Sequence, residues 1–89
     1  MTKRARVIVR GHVQGVFFRS DARDRAQSLH VAGWIRNVPD GTVEAVFEGE
    51  PERVESMVEW CRRGPSGAQV EDVDVDWEEP SGESGFAVL

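Results

Sequence analysis

A glycine-rich segment, residues 11–19 (GHVQGVFFR), holds the residues best suited to bind an anion. Gly11 and Gly15 allow positive φ angles, with which a backbone can turn successive N–H groups toward a ligand. Where such a loop leads into a helix, the N–H groups and the helix dipole together bind phosphate. Arg19 closes the segment, and a guanidinium can grip two phosphate oxygens. The pattern indicates a phosphate-binding loop, although glycines at this spacing are also typical of a tight strand–helix connection.

The segment is not the phosphate loop of the nucleotide hydrolases. That motif continues with Gly-Lys and then Ser or Thr, whose hydroxyl holds magnesium. Phe17, Phe18 and Arg19 stand here instead. The sequence therefore argues against a nucleotide hydrolase.

A second candidate, Asn37, ends the segment 33–37 (GWIRN) and precedes the turn Pro39-Asp40-Gly41. Asparagine is disfavoured within strands, so we expect Asn37 to have a specific role there. One interpretation is a hydrogen bond that supports the turn. The other is a catalytic amide, and the spacing alone leaves both open.

Hydrophobic periodicity predicts the elements that position these residues. Alternating or short apolar runs predict strands over residues 4–10, 34–38, 42–48, 72–77 and 86–89. Apolar residues at helical spacing predict helices over residues 19–31 and 51–63. Ser20 or Asp21 is expected to cap the first helix, and Gly33 to end it. The order βαββαβ, with one terminal strand, predicts an α+β ferredoxin-like sandwich: an antiparallel sheet with two helices on one face.

Length and charge limit the classes of function that the sequence allows. The 89 residues predict a single domain over 1–89, and the net charge of −5 is unevenly spread. Residues 1–36 hold eight of the eleven Lys/Arg, whereas residues 37–89 hold fourteen of the sixteen Asp/Glu. The basic half suits a small anionic ligand, while the overall acidity argues against a nucleic-acid partner. Without a signal-peptide pattern or a long apolar run, a cytoplasmic protein with no membrane partner is expected.

Two long motifs at their characteristic spacing resemble those of the acylphosphatase family. Residues 9–19 (VRGHVQGVFFR) are similar to its phosphate loop, with the closing arginine. Residues 33–37, together with residues 41–43 (GTV) and Gly49, are similar to its second motif. Ile35 departs from the family pattern, which more often has a smaller apolar residue there, and this should affect packing rather than chemistry.

The resemblance implies a metal-independent acylphosphatase that hydrolyses the carboxyl–phosphate anhydride bond of acyl phosphates, with no cofactor. By that resemblance Arg19 holds the phosphoryl group and Asn37 orients the attacking water. The backbone N–H groups that complete the site belong to Gly11, His12, Val13, Gln14, Gly15 and Val16. A carboxylate is a good leaving group because its conjugate acid has a pKa of about 4, so no general acid is needed. Inorganic phosphate is expected as product and competitive inhibitor, and the protein as a monomer.

Other chemistry-bearing residues have simpler interpretations. Cys61 lies on the apolar stripe of the second helix and is expected to be a buried, unreactive thiol. Asp72, Asp74 and Asp76 partly resemble a calcium loop, but the alternating valines between them predict a strand with a solvated acidic face. His12 is expected to be a solvated loop side chain.

Two other functions compete with the enzyme. One is a non-catalytic anion-sensing or RNA-binding module on the same fold. An RNA-binding sheet would carry aromatic residues at central positions, which Val7 and Val9 do not provide, and a binding module would be expected to lack Arg19 or Asn37. The other is a fragment of a larger carbamoyl-phosphate-using protein, although a complete domain is expected.

Overall fold

The sheet and helices follow the predicted order. The computed structural model describes residues 1–89, and its elements in chain order are β1 (Lys3–His12), α1 (Phe18–Ser28), β2 (Ala32–Asn37), β3 (Val43–Gly49), α2 (Pro51–Cys61), β4 (Gln69–Glu78) and β5 (Phe86–Val88). The strands form one sheet in the order β4-β1-β3-β2-β5. This arrangement confirms the ferredoxin-like class.

The fifth strand makes the sheet mixed rather than wholly antiparallel. β4, β1, β3 and β2 pair antiparallel, whereas β5 pairs parallel with β2. Since β4 runs opposite to β1 and β2, it ends where β2 begins. The chain crosses there and enters β5 in the same direction as β2.

One hydrophobic core lies between the sheet and the two helices. The inward residues of β1, namely Ala5, Val7 and Val9, are fully buried, as their alternation predicts. α1 packs against β2 and β5, and α2 packs against β1 and β3. The rings of Phe18 and Trp60 join the two helices, with centroids 5.1 Å apart. The start of α1 is thereby held against the end of α2.

Ion pairs cover much of the sheet face that lies opposite the helices. Arg6 and Arg36 both reach the carboxylate of Glu44, each at 2.7 Å. Arg6 also lies over the ring of Trp34, 5.6 Å from its centroid. This face is therefore charged rather than lined by open aromatic rings.

Helix α1 begins and ends at positions that the sequence did not reveal. Its N-cap is Phe17, in the left-handed region at φ 62°, so neither Ser20 nor Asp21 caps it. The chain turns after the helix at His30, at φ 57°, rather than at Gly33. Gly33 instead lies in β2, where a Cβ would come within 1.8 Å of the Val46 carbonyl oxygen. The sequence prediction was right about the helix and wrong about both of its ends.

The first and fourth strands are longer than predicted because they pair with each other along their whole length. β1 extends through Gly11 and His12, opposite Val70 and Gln69. The register shifts between Arg10 and Gly11, where a Cβ on Gly11 would lie 2.1 Å from the Gln69 carbonyl oxygen. Only glycine fits this close approach, so Gly11 serves the sheet.

The structure places Cys61 and the three aspartates of β4 as the sequence predicts. Cys61 is fully buried, as expected, and burial raises the pKa of its thiol to about 12. Asp72, Asp74 and Asp76 lie exposed along β4, and Asp74 pairs with Arg10 at 2.7 Å. No three His, Cys, Asp or Glu side chains are grouped to hold a metal ion. Neither helix has the length and apolar character needed to cross a membrane.

Candidate functional site

A cleft of about 360 Å³ lies where the loop after β1, the start of α1 and the ends of β2 and β5 meet. Four of the residues predicted for the site line it: Val13, Gly15, Arg19 and Asn37. Segments far apart in the sequence are thus brought together at one end of the sheet. The cleft is lined by arginines and an amide and by no carboxylate.

The loop enters the helix through two left-handed residues. Gly15 has φ 74° and Phe17 has φ 62°, and α1 begins at the next residue, Phe18. A Cβ on Gly15 would meet nothing within 4 Å, so glycine is favoured there by its φ angle rather than by lack of space. The first N–H groups of a helix have no intrahelical partner and carry its positive dipole end. The cleft therefore lies at a place that favours an anion.

Arg19 lies in the first turn of α1 and forms no ion pair with an acidic side chain. Its Nη1 donates to the backbone oxygen of Leu89 at 3.2 Å, just after β5. Leu89 is itself held to the sheet, since its N–H donates to the Ile35 carbonyl at 2.9 Å. The guanidinium is thus steadied at the cleft, while most of its five donors remain available.

Asn37 is the last residue of β2 and faces the same cleft from the sheet. Its Oδ1 is buried and accepts no hydrogen bond from the protein. Nearly all buried polar atoms in native proteins are hydrogen-bonded. We therefore expect Oδ1 to bind a donor outside the chain, such as water or a ligand. No group of the protein donates to this amide oxygen, so its capacity to accept a hydrogen bond is unused.

Gln14 ties the loop to the turn that follows Asn37. Its Nε2 donates to the carbonyl oxygens of Val38 and Thr42, at 2.8 and 2.9 Å. Within that turn Asp40 accepts from the hydroxyl and the N–H of Thr42, and these bonds hold the pKa of Asp40 below its usual value. The Gln14 side chain therefore positions the two halves of the site against each other.

The structure does not place every predicted loop residue at the cleft. Gly11 and His12 belong to β1, because the strand continues through the bulge, and neither lines the cleft. Gln14 and Val16 do not line it either; Val16 lies against Gly67 instead. The cleft-lining part of the loop is therefore Val13, Gly15 and the residues that follow.

Sequence reasoning also missed residues that line the cleft. Five lining residues were not predicted there: Phe17, Phe18, Ser20, Arg23 and Val88. Helical spacing could have identified Arg23, since it follows Arg19 by four residues. Val88 could not be found in this way, because it depends on the pairing of β5 with β2.

A buried ion pair holds the segment that leads into β5. Arg4 and Glu48 are only 8% and 5% exposed, and Arg4 Nη1 donates to Glu48 Oε1 at 3.0 Å. The N–H groups of Ser81, Gly82 and Glu83 also donate to the Glu48 carboxylate. Burial alone would raise the pKa of Glu48, but the N–H groups and Arg4 together hold it below its usual value. The carboxylate thus anchors the crossing segment between β4 and β5.

Comparison with known proteins agrees with this fold. A family model described as acylphosphatase matches residues 5–88. The chain is similar to the acylphosphatase of Pelotomaculum thermopropionicum, at 57% identity over 96% of this chain and 94% of that protein. It is 58% identical to the acylphosphatase of Rubrobacter xylanophilus, over 98% of this chain and 80% of that protein. A solved acylphosphatase from Coxiella burnetii matches 99% of this chain and 93% of its own, with a TM-score of 0.94 and 36% identity.

Fold and cleft together define a ferredoxin-like α+β protein with a cleft at one end of its sheet that two arginines and an amide line. The match over nearly the whole chain makes the assignment specific. The chain belongs to the acylphosphatase family of enzymes.

Proposed function

We propose that this protein hydrolyses acyl phosphates to a carboxylate and inorganic phosphate, without a metal ion or cofactor. The observation that carries the proposal is the meeting of Arg19 and Asn37 in one cleft at the N-terminus of α1. One residue supplies positive charge, and the other an amide oxygen without a protein donor.

The phosphoryl group is held beside the loop. Arg19 donates to two of its oxygens in a fork, and N–H groups of the loop and of the first turn of α1 donate to the rest. Phosphoryl transfer depends mainly on positioning and on neutralising charge on these oxygens. Arg19 and the helix N-terminus provide positive charge where the transition state needs it.

Asn37 holds the attacking water. The amide accepts a hydrogen bond from the water and directs its oxygen at phosphorus, opposite the leaving group. The new O–P bond forms as the bond from phosphorus to the acyl oxygen breaks, and the carboxylate departs with that electron pair. The proton of the water passes to a phosphate oxygen. The products are a carboxylate and inorganic phosphate, which competes with substrate for Arg19.

The first experiment measures the hydrolysis of benzoyl phosphate by its ultraviolet absorbance, with and without prior dialysis against EDTA. We expect turnover to survive chelation and to be inhibited competitively by inorganic phosphate. A loss of activity in EDTA that magnesium or zinc restores would refute the metal-free mechanism. Phosphate binding without turnover of any acyl phosphate would favour the anion-sensing module.

The proposal retains the cytoplasmic location and the monomeric state expected from the sequence. Light scattering during size-exclusion chromatography tests the second point. A mass near 9.9 kDa is expected for the monomer. A mass of twice that value would contradict it.

A further inference from the structure

A second arginine, Arg23, lines the same cleft as Arg19. Both belong to α1, and side chains four residues apart lie on one face of a helix. Four residues advance a helix by about 6 Å, so Arg23 lies about one turn farther from the loop than Arg19 does. The cleft therefore has one cation beside the phosphate loop and another beyond it.

Arg23 is only partly neutralised by the protein. Its Nε and Nη2 donate to the Asp24 carboxylate, at 3.2 and 3.1 Å. The two side chains are 42% and 67% exposed, and such exposed pairs are weak because water screens them. Nη1 has no acceptor within the protein. Part of this guanidinium is consequently available to a ligand in the cleft.

Apolar side chains also line this cleft. Phe17 is 78% exposed and Val88 is 37% exposed, and both line the cleft. The volume of about 360 Å³ is within the range found for small organic ligands. The cleft can thus hold a short carbon chain in addition to a phosphoryl group.

We propose that the preferred acyl phosphates carry a carboxylate on the acyl part, and that Arg23 binds this carboxylate. The carbons of the acyl chain then pack against Phe17 and Val88. This inference rests on the proposed function and names its substrate class. Arg23 is a specificity-determining residue here, and Arg19 remains the ligand of the phosphoryl group.

The kinetic test compares succinyl phosphate, whose acyl chain ends in a free carboxylate, with butyryl phosphate, which has the same number of acyl carbons and no charge on its acyl chain. The wild type should show the higher kcat/KM with succinyl phosphate. Arg23→Gln should lower that preference, measured as the ratio of the two kcat/KM values, roughly 10-fold, which is the scale of one charge-assisted hydrogen bond. Arg25→Gln is the matched control: it removes the same charge from α1, but Arg25 lies over Trp60 outside this cleft.

A binding measurement separates this inference from the proposed function. The probe is the phosphonate in which CH2 replaces the bridging oxygen of succinyl phosphate, and its amide is the neutral partner. Calorimetry should find tighter binding of the carboxylate form to the wild type, and the difference should disappear in Arg23→Gln. This result without turnover of any acyl phosphate would refute the proposed function and still identify Arg23 as the carboxylate ligand of the cleft. The absence of a wild-type preference, or an equal loss for both ligands in Arg23→Gln, would overturn the inference.

Discussion

Arg19 is the residue whose replacement tests the site most directly. Arg19→Ala should reduce kcat/KM by at least about 10³-fold, because charge on the transferring phosphoryl group is left without its guanidinium. Inhibition by inorganic phosphate should weaken in parallel. Arg19→Lys should restore only part of the activity, since an ammonium cannot form the fork. Steady-state kinetics measures both effects, and normal phosphate inhibition in the alanine variant would remove Arg19 from the site.

Asn37 separates catalysis from binding. Asn37→Ala should lower kcat roughly 10²-fold while KM and the phosphate inhibition constant stay near wild type, because the amide acts on the water rather than on the substrate. The free energy of unfolding should change by less than about 1 kcal/mol, since the Asn37 Oδ1 has no protein partner to lose. Gln27→Ala, which removes an exposed amide from α1, is the control. An unfolded variant, or one with normal turnover, would make Asn37 structural.

For individual residues, the sequence was informative where short motifs contain the chemically active side chains. The spacing of Arg19 and Asn37 left more than one interpretation of each open, and only the resemblance of both motifs to the acylphosphatase family predicted that the two residues belong to one site. The loop was predicted too far toward the N-terminus, because the bulge that keeps Gly11 and His12 in β1 depends on β4, which lies almost sixty residues away. Phe17 was missed because a left-handed phenylalanine has no recognisable sequence pattern.

Among the elements, the segment between β4 and β5 depends on Glu48. Glu48→Gln should lower the free energy of unfolding by about 3 kcal/mol, because an amide nitrogen would face backbone N–H donors and Arg4 would lose a buried partner. Urea denaturation measures this change. Glu50→Gln removes an exposed carboxylate, 68% exposed in its pair with Arg53, and should cost less than about 0.5 kcal/mol. Equal stability of the two variants would show that the buried pair contributes little.

The order of the elements was predictable, and their ends were not. Alternation in β1 and the apolar stripe of α2 reflect contacts with one core, so periodicity reveals them. The ends depend on tertiary contacts: β4 begins at Gln69 because β1 is there to pair with it. The parallel pairing of β5 also depends on tertiary contacts. Glu48 holds the preceding segment and so determines where the chain enters β5.

For the whole molecule, the carboxylates determine how stability depends on pH. The pKa values of Glu44, Glu48 and Glu78 lie below their usual value of 4.5 although burial opposes the shift. Arginine side chains hold down the pKa values of Glu44 and Glu78, and backbone N–H groups together with Arg4 hold down that of Glu48. The unfolded chain therefore binds more protons in acid, and the stabilisation present above about pH 4.5 is lost as the pH falls through the lowered values. The free energy of unfolding, measured in urea from pH 7 to pH 3, should decline below about pH 5. A constant value over that range would contradict the pairing.

The fully buried Cys61 can report how often α2 separates from the sheet. It is the one cysteine of the chain, on the face of α2 that packs against the sheet, and a thiol reagent reacts only with an accessible thiolate. Labelling therefore requires α2 to separate from the sheet, and its rate at low reagent concentration measures the free energy of that separation. A ligand that binds only the closed form should slow labelling in proportion to its occupancy. Ligand affinity could thus be read from a single sulfur atom in the core, without an assay of turnover.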